Sequence, residues 1–345
     1  MINWHVDLRN ITILDIVILT LEFFNNGMLF LVLKGVGYLY DKYKRKYDGD
    51  EDLSKYHLVK KYLLNEDPEL GYSQGKPIIW VHSDYNVNAK NWKSFGSRNS
   101  TNLNQKYVEM CVESIVKYCG KSFNVCLIND DSFSKLIPGW QIDMKLISNP
   151  IKKHMRILAI AKILYYYGGL LLPNSTLLVK NVKPLYDEMM SYKCMFVSEM
   201  VSKNSTSVNT RFFPSNKLMG CKKKSKEMSK MIKKIEMLLS RDNTEEMDFE
   251  GEVDRELYGM QNNGEIQLMN GTIFGNKTKE GKSVLVDDLL NLSYVNFDRN
   301  MYGIYLPKED IEKRTKYNWF GRLNREQILK AKTVISKYFL ISAGR

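Results

Sequence analysis

The sequence predicts an α/β fold, a sheet layered against helices, and three observations predict it. Short apolar runs with strand character, Pro77–His82, Phe123–Ile128 and Leu170–Leu172, alternate with helical patterns over Tyr107–Tyr118 and Ile151–Tyr167. Such alternation implies helices packed on a sheet. The second observation is Tyr167-Gly168-Gly169, then Leu170-Leu171-Leu172, then Pro173-Asn174-Ser175: a helix, a glycine break, a buried strand and a polar turn at its carboxyl end. Open α/β sheets place ligands at such turns. The third is size, since 345 residues of which 44% are hydrophobic supply the core of two average domains or one large α/β domain, and the alternation of elements places one at 76–345.

Residues 1–47 form an apolar segment with a basic flank. Ile13–Phe24 and Met28–Tyr40 are apolar runs separated by Asn25-Asn26-Gly27, with Asp15, Glu22 and Lys34 intruding. A spanning helix takes about 20 apolar residues, and a charge near its middle costs about 2.5–3.5 kcal/mol on insertion scales. Three readings stand: a poor transmembrane helix, a helical hairpin, or a helix packed on the main domain. No basic start precedes the apolar run, which argues against a cleaved signal peptide. If the segment spans, Lys42, Lys44, Arg45 and Lys46 leave the large domain on the cytoplasmic side. Residues 48–75 read as a linker with a short helix at Leu53–Leu64.

Within the main domain, Val108, Cys111, Val112, Ile115 and Val116 define the apolar face of the first helix. Phe123–Ile128 leads into Asn129-Asp130-Asp131-Ser132, where Asp131 or Ser132 is the expected cap of a helix at Phe133–Ile137. The 92–105 stretch reads as a polar loop. Met195–Ser198 reads as a strand and Ser225–Leu239 as an amphipathic helix. Asn243–Asp254 reads as an exposed acidic loop, Thr272–Phe274 as a short strand inside a Gly- and Asn-rich loop, and Arg322–Phe339 as one basic helix.

The net charge of +12 favours an acidic neighbour: an anionic membrane surface, an acidic protein or nucleic acid. Lys-rich codon bias accounts for it equally well. Nucleic acid is the weakest of the three, because no binding module is present. Five cysteines with no CxxC pair exclude a zinc ribbon and argue against a disulfide scaffold. No P-loop, GxSxG or HExxH is present.

The candidate chemical groups are few. Asp130-Asp131 is a carboxylate pair at a strand end, readable as a base or metal site or as a turn and helix cap. His82 with Asp84 follows the first strand and could meet a base or ribose. Arg98, His154 and Arg156 could meet phosphate, and so could Lys222-Lys223-Lys224. Glu250, Glu252 and Asp254 could supply a base. No carboxylate lies between Arg156 and Tyr186.

Lys76-Pro77-Ile78-Ile79-Trp80, Asn129-Asp130, Leu164-Tyr165-Tyr166-Tyr167-Gly168-Gly169 and Val182-Lys183-Pro184-Leu185 resemble the DxD-motif glycosyltransferase family of mannosyltransferase and capsular-polysaccharide-synthesis type. The resemblance covers about Lys76 to Tyr186. It implies a GT-A, Rossmann-like mixed sheet flanked by helices and a nucleotide-sugar donor held with Mn²⁺ or Mg²⁺. The family's DxD falls on Pro173, Asn174 and Ser175, and its helical Asp and Arg fall on Ile157 and Ile160. Hard cations take anionic oxygen ligands, so the resemblance carries a degenerate DxD with no metal site and no cofactor. The expected role is a structural or interaction protein; the alternative is an active, metal-independent transferase using a nucleotide-sugar. The strings Trp80–Tyr85, Ser94–Asn99 and Gly168–Ser175 are also similar to proteins of giant nucleocytoplasmic DNA viruses. That similarity implies a viral, virion-associated protein, with capsid or other virion proteins as partners, and says nothing about activity; the cytoplasmic side of a membrane follows instead from the basic flank if the N-terminal segment spans.

Overall fold

The computed structural model describes residues 75–83, 105–208, 210–241 and 245–344. The 1–47 segment, the Leu53–Leu64 helix, most of the 92–105 loop, Asp84 and Arg98 lie outside the described residues. Among the described residues, no helix is long and apolar enough to cross a membrane.

The chain runs β1 (Ile78–His82), α1 (Lys106–Cys119), β2 (Asn124–Ile128), α2 (Phe133–Leu136), α3 (Ile151–Tyr167), β3 (Gly169–Leu171), β4 (Thr176–Leu178), α4 (Lys183–Tyr192), β5 (Met195–Val201) and β6 (Phe212–Cys221). It continues through α5 (Lys226–Leu239), α6 (Glu246–Asn262), β7 (Gln267–Met269), α7 (Val286–Leu290), β8 (Gly303–Tyr305), α8 (Lys308–Lys313), α9 (Asn318–Gly321), α10 (Arg325–Lys330) and α11 (Val334–Ala343). Six strands form one mixed sheet in the order β2-β1-β3-β6-β5-β7, and β4 pairs with β8 apart from it. Strands β1, β2 and β3 are parallel, β6 runs against both β3 and β5, and β7 is parallel to β5. The fold is thus the α/β class that the sequence implies, a mixed sheet flanked by helices.

The two faces of the sheet follow the period-2 alternation of strand side chains. Ile78, Trp80, Leu171 and Val197 pack with α3, α5 and α6. Ile79, Val81, Leu170 and Phe196 pack on the other face with α1 and α4. The C-terminal helices close over the far side of α1, where Tyr107 meets Phe320 with ring centroids 5.5 Å apart.

Gly168-Gly169 stops α3 and starts β3. Gly169 has φ +106, and a Cβ there would lie 2.3 Å from the Ile78 carbonyl oxygen. Only glycine lets β3 enter against β1 at this height. Trp80 Nε1 donates to the Gly168 carbonyl at 2.9 Å and ties the break to the sheet.

Four regions depart from the sequence reading. The described 245–254 part of the expected acidic loop is no exposed loop. Its larger part is the start of α6, where Phe249, Val253, Leu257 and Met260 are buried at helical spacing. The strand expected at Thr272–Phe274 is a turn, and β7 forms five residues earlier, beside β5. Arg322–Phe339 is two helices rather than one, because Thr333 caps a new helix through the Ser336 amide. Ser132 stands at the N-cap of α2 as expected but makes no side-chain cap bond to it, and the preceding turn is capped by Asn129, whose Oδ1 accepts from the Ser132 amide at 3.0 Å.

β6 is a strand that the sequence did not announce. Its pairing with β5 slips between Val197, opposite Met219, and Ser198, opposite Ser215. Asn216, Lys217 and Leu218 are therefore extra on β6. Such a bulge re-aims side chains: Leu218 stays in the core while Asn216 and Lys217 line an open crevice.

Candidate functional site

The chain passes from β1 to β2 on one side and then to β3 on the other, so the strand order reverses beside β1. Ligands of open α/β sheets bind outside the carboxyl ends of the strands at this switch point. A crevice of about 260 Å³ opens there. His82 from the end of β1 and Leu171 to Ser175 from the end of β3 form its floor. Ile157 and Ile160 of α3, the two positions where the family resemblance places Asp and Arg, face the same space. Lys153, Arg156, Lys217 and Lys308 bring cations to its walls, and Glu250 and Glu309 bring carboxylates.

The polar groups nearest the strand ends are engaged with the protein itself. Ser175 Oγ donates to the Leu306 carbonyl at 2.6 Å, and Asn174 Nδ2 donates to Ser83 Oγ at 3.4 Å. Both residues are buried. Pro173 offers no ligand atom. Arg156 donates to both oxygens of Asp130, Nε at 2.8 Å and Nη2 at 2.6 Å, and His82 Nε2 lies 3.1 Å from Asp130 Oδ1. Burial alone would raise the Asp130 pKa, but His82 and Arg156 override it and hold the carboxyl well below its ordinary 3.8.

Three sequence candidates thus meet in one cluster: His82, Asp130 and Arg156. Asp131 does not join Asp130; its side chain turns outward to Lys145 at 3.2 Å. His154 also stands apart. It is buried and stacked on Phe249 with centroids 3.9 Å apart, neither ring nitrogen has a hydrogen bond, and burial lowers its pKa. Lys222, Lys223 and Lys224 follow the end of β6, which lies beside the start of β3 at the opposite end of the strands, and Lys223 abuts Gly168 there.

Lys153, Lys217, Lys308 and Glu309, overlooked in the sequence, complete the walls beside the candidate Glu250. Lys217 Nζ lies 3.8 Å from Glu250 Oε2. Burial works against the Lys217 charge, yet Glu250, Tyr305, Glu309 and Asp254 outweigh it and raise its pKa. Lys153 pairs with Glu246 and lies 3.6 Å from Glu309. Burial raises the Glu250 pKa against the opposing pull of Lys217, whereas Lys217 and Lys153 hold Glu309 low despite its own burial. Helical spacing of Phe249, Val253 and Leu257 would have exposed Glu250 and Asp254 as groups on an inward face. Lys217 had no such signal, because Pro214 and Asn216 disguise its strand.

Among the described residues, the divalent cation that the family resemblance implies finds no fitting donors at the DxD positions. The DxD positions supply no carboxylate, and Asp130 is already bound by two cationic or hydrogen-bonding partners. Among the described residues no group of three His, Cys, Asp or Glu side chains could hold a metal ion.

No protein-family profile and no curated protein matches the sequence. Among solved structures the chain is similar to the PaToxG glycosyltransferase at 14% identity and a TM-score of 0.32, over 60% of this chain and 80% of that one. It is also similar to the glycosyltransferase GlyE of Streptococcus pneumoniae TIGR4 at 14% identity and a TM-score of 0.30, over 57% of this chain and 46% of that one.

Proposed function

We propose that the chain is a glycosyltransferase-like protein that has lost cation-dependent donor binding and serves as a structural or interaction protein. The observation that carries this reading is the state of the β3 end. Where chelating carboxylates would stand, Ser175 and Asn174 brace the turn from within, and Asp130 is held by Arg156 and His82. The reading is tested by calorimetry of the full chain with UDP-glucose and GDP-mannose, each with and without Mn²⁺. No Mn²⁺-dependent heat is expected, and saturable Mn²⁺-dependent binding would overturn it.

The +12 charge supports an acidic partner, either an anionic membrane surface or a virion protein, and a place on the cytoplasmic side of a membrane or in a virion. Cosedimentation with phosphatidylserine vesicles, falling with salt, is the check on the membrane arm.

One observation favours a second reading, an active metal-independent transferase. The crevice is open, and Lys153, Lys217 and Lys308 stand where a diphosphate would need counter-charge. Under it, nucleotide-sugars bind in EDTA, and Arg156→Ala or Lys217→Ala abolishes donor hydrolysis. Absence of turnover across a donor panel sinks this alternative.

A further inference from the structure

The amino ends of the parallel strands make a face at the far end of the sheet from the switch-point crevice. Register sets Asn124, Ile78, Gly169, Cys221 and Met195 in one row across β2, β1, β3, β6 and β5. At ~4.8 Å between neighbouring strands the row is about 19 Å wide. The segments that meet this row, 75–78, 119–124, 165–169, 191–195 and 221–226, hold seven lysines and no Asp or Glu. Lys76 is half-buried; Lys121, Lys193, Lys226 and the 222–224 run are exposed. Among the described residues none of the seven forms an ion pair.

The centre of this face is held rigidly. The Lys222 N–H donates to the Cys194 carbonyl at 2.8 Å, and the Lys224 N–H donates to the Tyr165 carbonyl at 2.7 Å. Lys224 has φ +57, a left-handed conformation uncommon for any residue with a Cβ. Glycine would adopt it without strain, yet a charged side chain stands there. Ser225 then caps α5, and the positive end of that helix adds to the lysine field.

Two further observations say what the face meets. Gly75-Lys76 leads directly into β1, so the apolar runs within 1–47 and their basic flank join the domain on this face. Tyr192, beside Lys193, is 61% exposed, and tyrosine favours the headgroup level of a bilayer. The tethered apolar segment selects lipid over nucleic acid, which has no apolar interior to receive it.

We propose that the domain lies against an anionic membrane with the amino ends of its strands, Lys222 and Lys223 being at the contact. The proposal rests on the membrane arm of the function proposed above and adds the face; the crevice at the carboxyl ends then opens away from the bilayer. Cosedimentation of the full chain with phosphatidylcholine vesicles, with and without phosphatidylserine, tests it. The difference between the two reads the charged face, because the apolar segment meets both. Each lysine at an anionic leaflet contributes about fivefold, so Lys222→Glu with Lys223→Glu should weaken phosphatidylserine-dependent binding about thirtyfold or more. Lys279→Glu with Lys282→Glu makes the same change in charge at exposed positions beyond the carboxyl end of β7, and should leave binding within about twofold, since charges more than ~10 Å away are screened. Should the first pair fail to fold, Lys121→Glu with Lys193→Glu reads the same face, with the same weakening expected. Equal weakening by the 222/223 and 279/282 pairs would overturn the proposal and leave the membrane arm standing. Loss of duplex-DNA binding in the first pair, with vesicle binding unaltered, would overturn it in favour of nucleic acid. Absence of phosphatidylserine-dependent binding by the wild type would end the proposal and the membrane arm together.

Discussion

The switch-point crevice and a second hollow, of about 380 Å³ beyond Lys217, share a wall and differ in how their polar atoms are employed. At the switch point, Ser175, Asn174 and Asp130 all bond within the protein. One wall further, Asp254 Oδ1 and Asn276 Nδ2 bond nothing. The place where a motif would locate the chemistry is thus braced by its own side chains, and the place with no motif keeps uncommitted groups. Substitutions that stabilise one hollow should therefore not stabilise the other, and the contrast can be broken by measuring stability at four positions.

Gly169→Ala has the largest expected effect. Its Cβ would strike the Ile78 carbonyl at a positive φ, and a backbone clash of this kind places the loss at the exceptional end, above ~4 kcal/mol. Soluble expression and thermal melting check it; a well-folded variant would mean that the crevice floor yields. Arg156→Ala comes next, at about 1.5–3 kcal/mol, because it strips a part-buried carboxylate of one of its two charged or hydrogen-bonding partners. The depressed Asp130 pKa means that the unfolded carboxyl takes up protons first as pH falls. The stabilisation is fully present above about pH 4 and declines as acid titrates toward the low folded value. Urea midpoints of wild type and variant should converge in that acid range.

Asp254→Asn should act with the opposite sign. Burial raises Asp254 first and foremost, and Glu250 adds to it, against Asn204, Lys217 and the Asn216 amide, so that the carboxyl sits at about 7 rather than 3.8. The native state then holds a proton that the unfolded chain releases. Wild-type stability falls as pH rises from about 4 to 7, and the variant should be the more stable by a few kcal/mol at pH 8. Denaturation at pH 4, 6 and 8 measures this, and a parallel pH dependence of the two proteins would sink it. Ser175→Ala is the smallest, about 1 kcal/mol for one hydrogen bond to the Leu306 carbonyl. Calorimetric melting resolves it, and Mn²⁺ should leave the variant's melting temperature where it was.

The parts of the fold legible in sequence were those with a single strong period. The apolar face of α1, the length of α3 and the Gly168-Gly169 stop are written in local pattern, and β1 to β3 are short apolar runs bounded by Gly, Pro or Asn. β6 was hidden because its ladder contains Pro214 and a three-residue slip, and neither is a strand signal by itself. The start of α6 was hidden by Gly251, which reads as a break. Here the reason is contact: a Cβ at Gly251 would lie 2.0 Å from Ser205 Oγ, so the glycine lets the helix press on the turn after β5. Of the site, the pattern located the switch point and His82, Asp130 and Arg156 individually. Their meeting depends on β1, β2 and α3 converging, and the second hollow on chain segments from Met200 to Arg314, separations that no local spacing encodes.

The slip in β6 has an architectural consequence. Three surplus residues let one strand serve as floor for the core through Leu218 and as a partition between two chambers through Lys217. Excising Asn216 to Leu218 would straighten the ladder from Phe212 to Cys221 and take the dividing post away. The separation of the two hollows thus rests on an irregularity in hydrogen-bond register, not on any catalytic-looking residue.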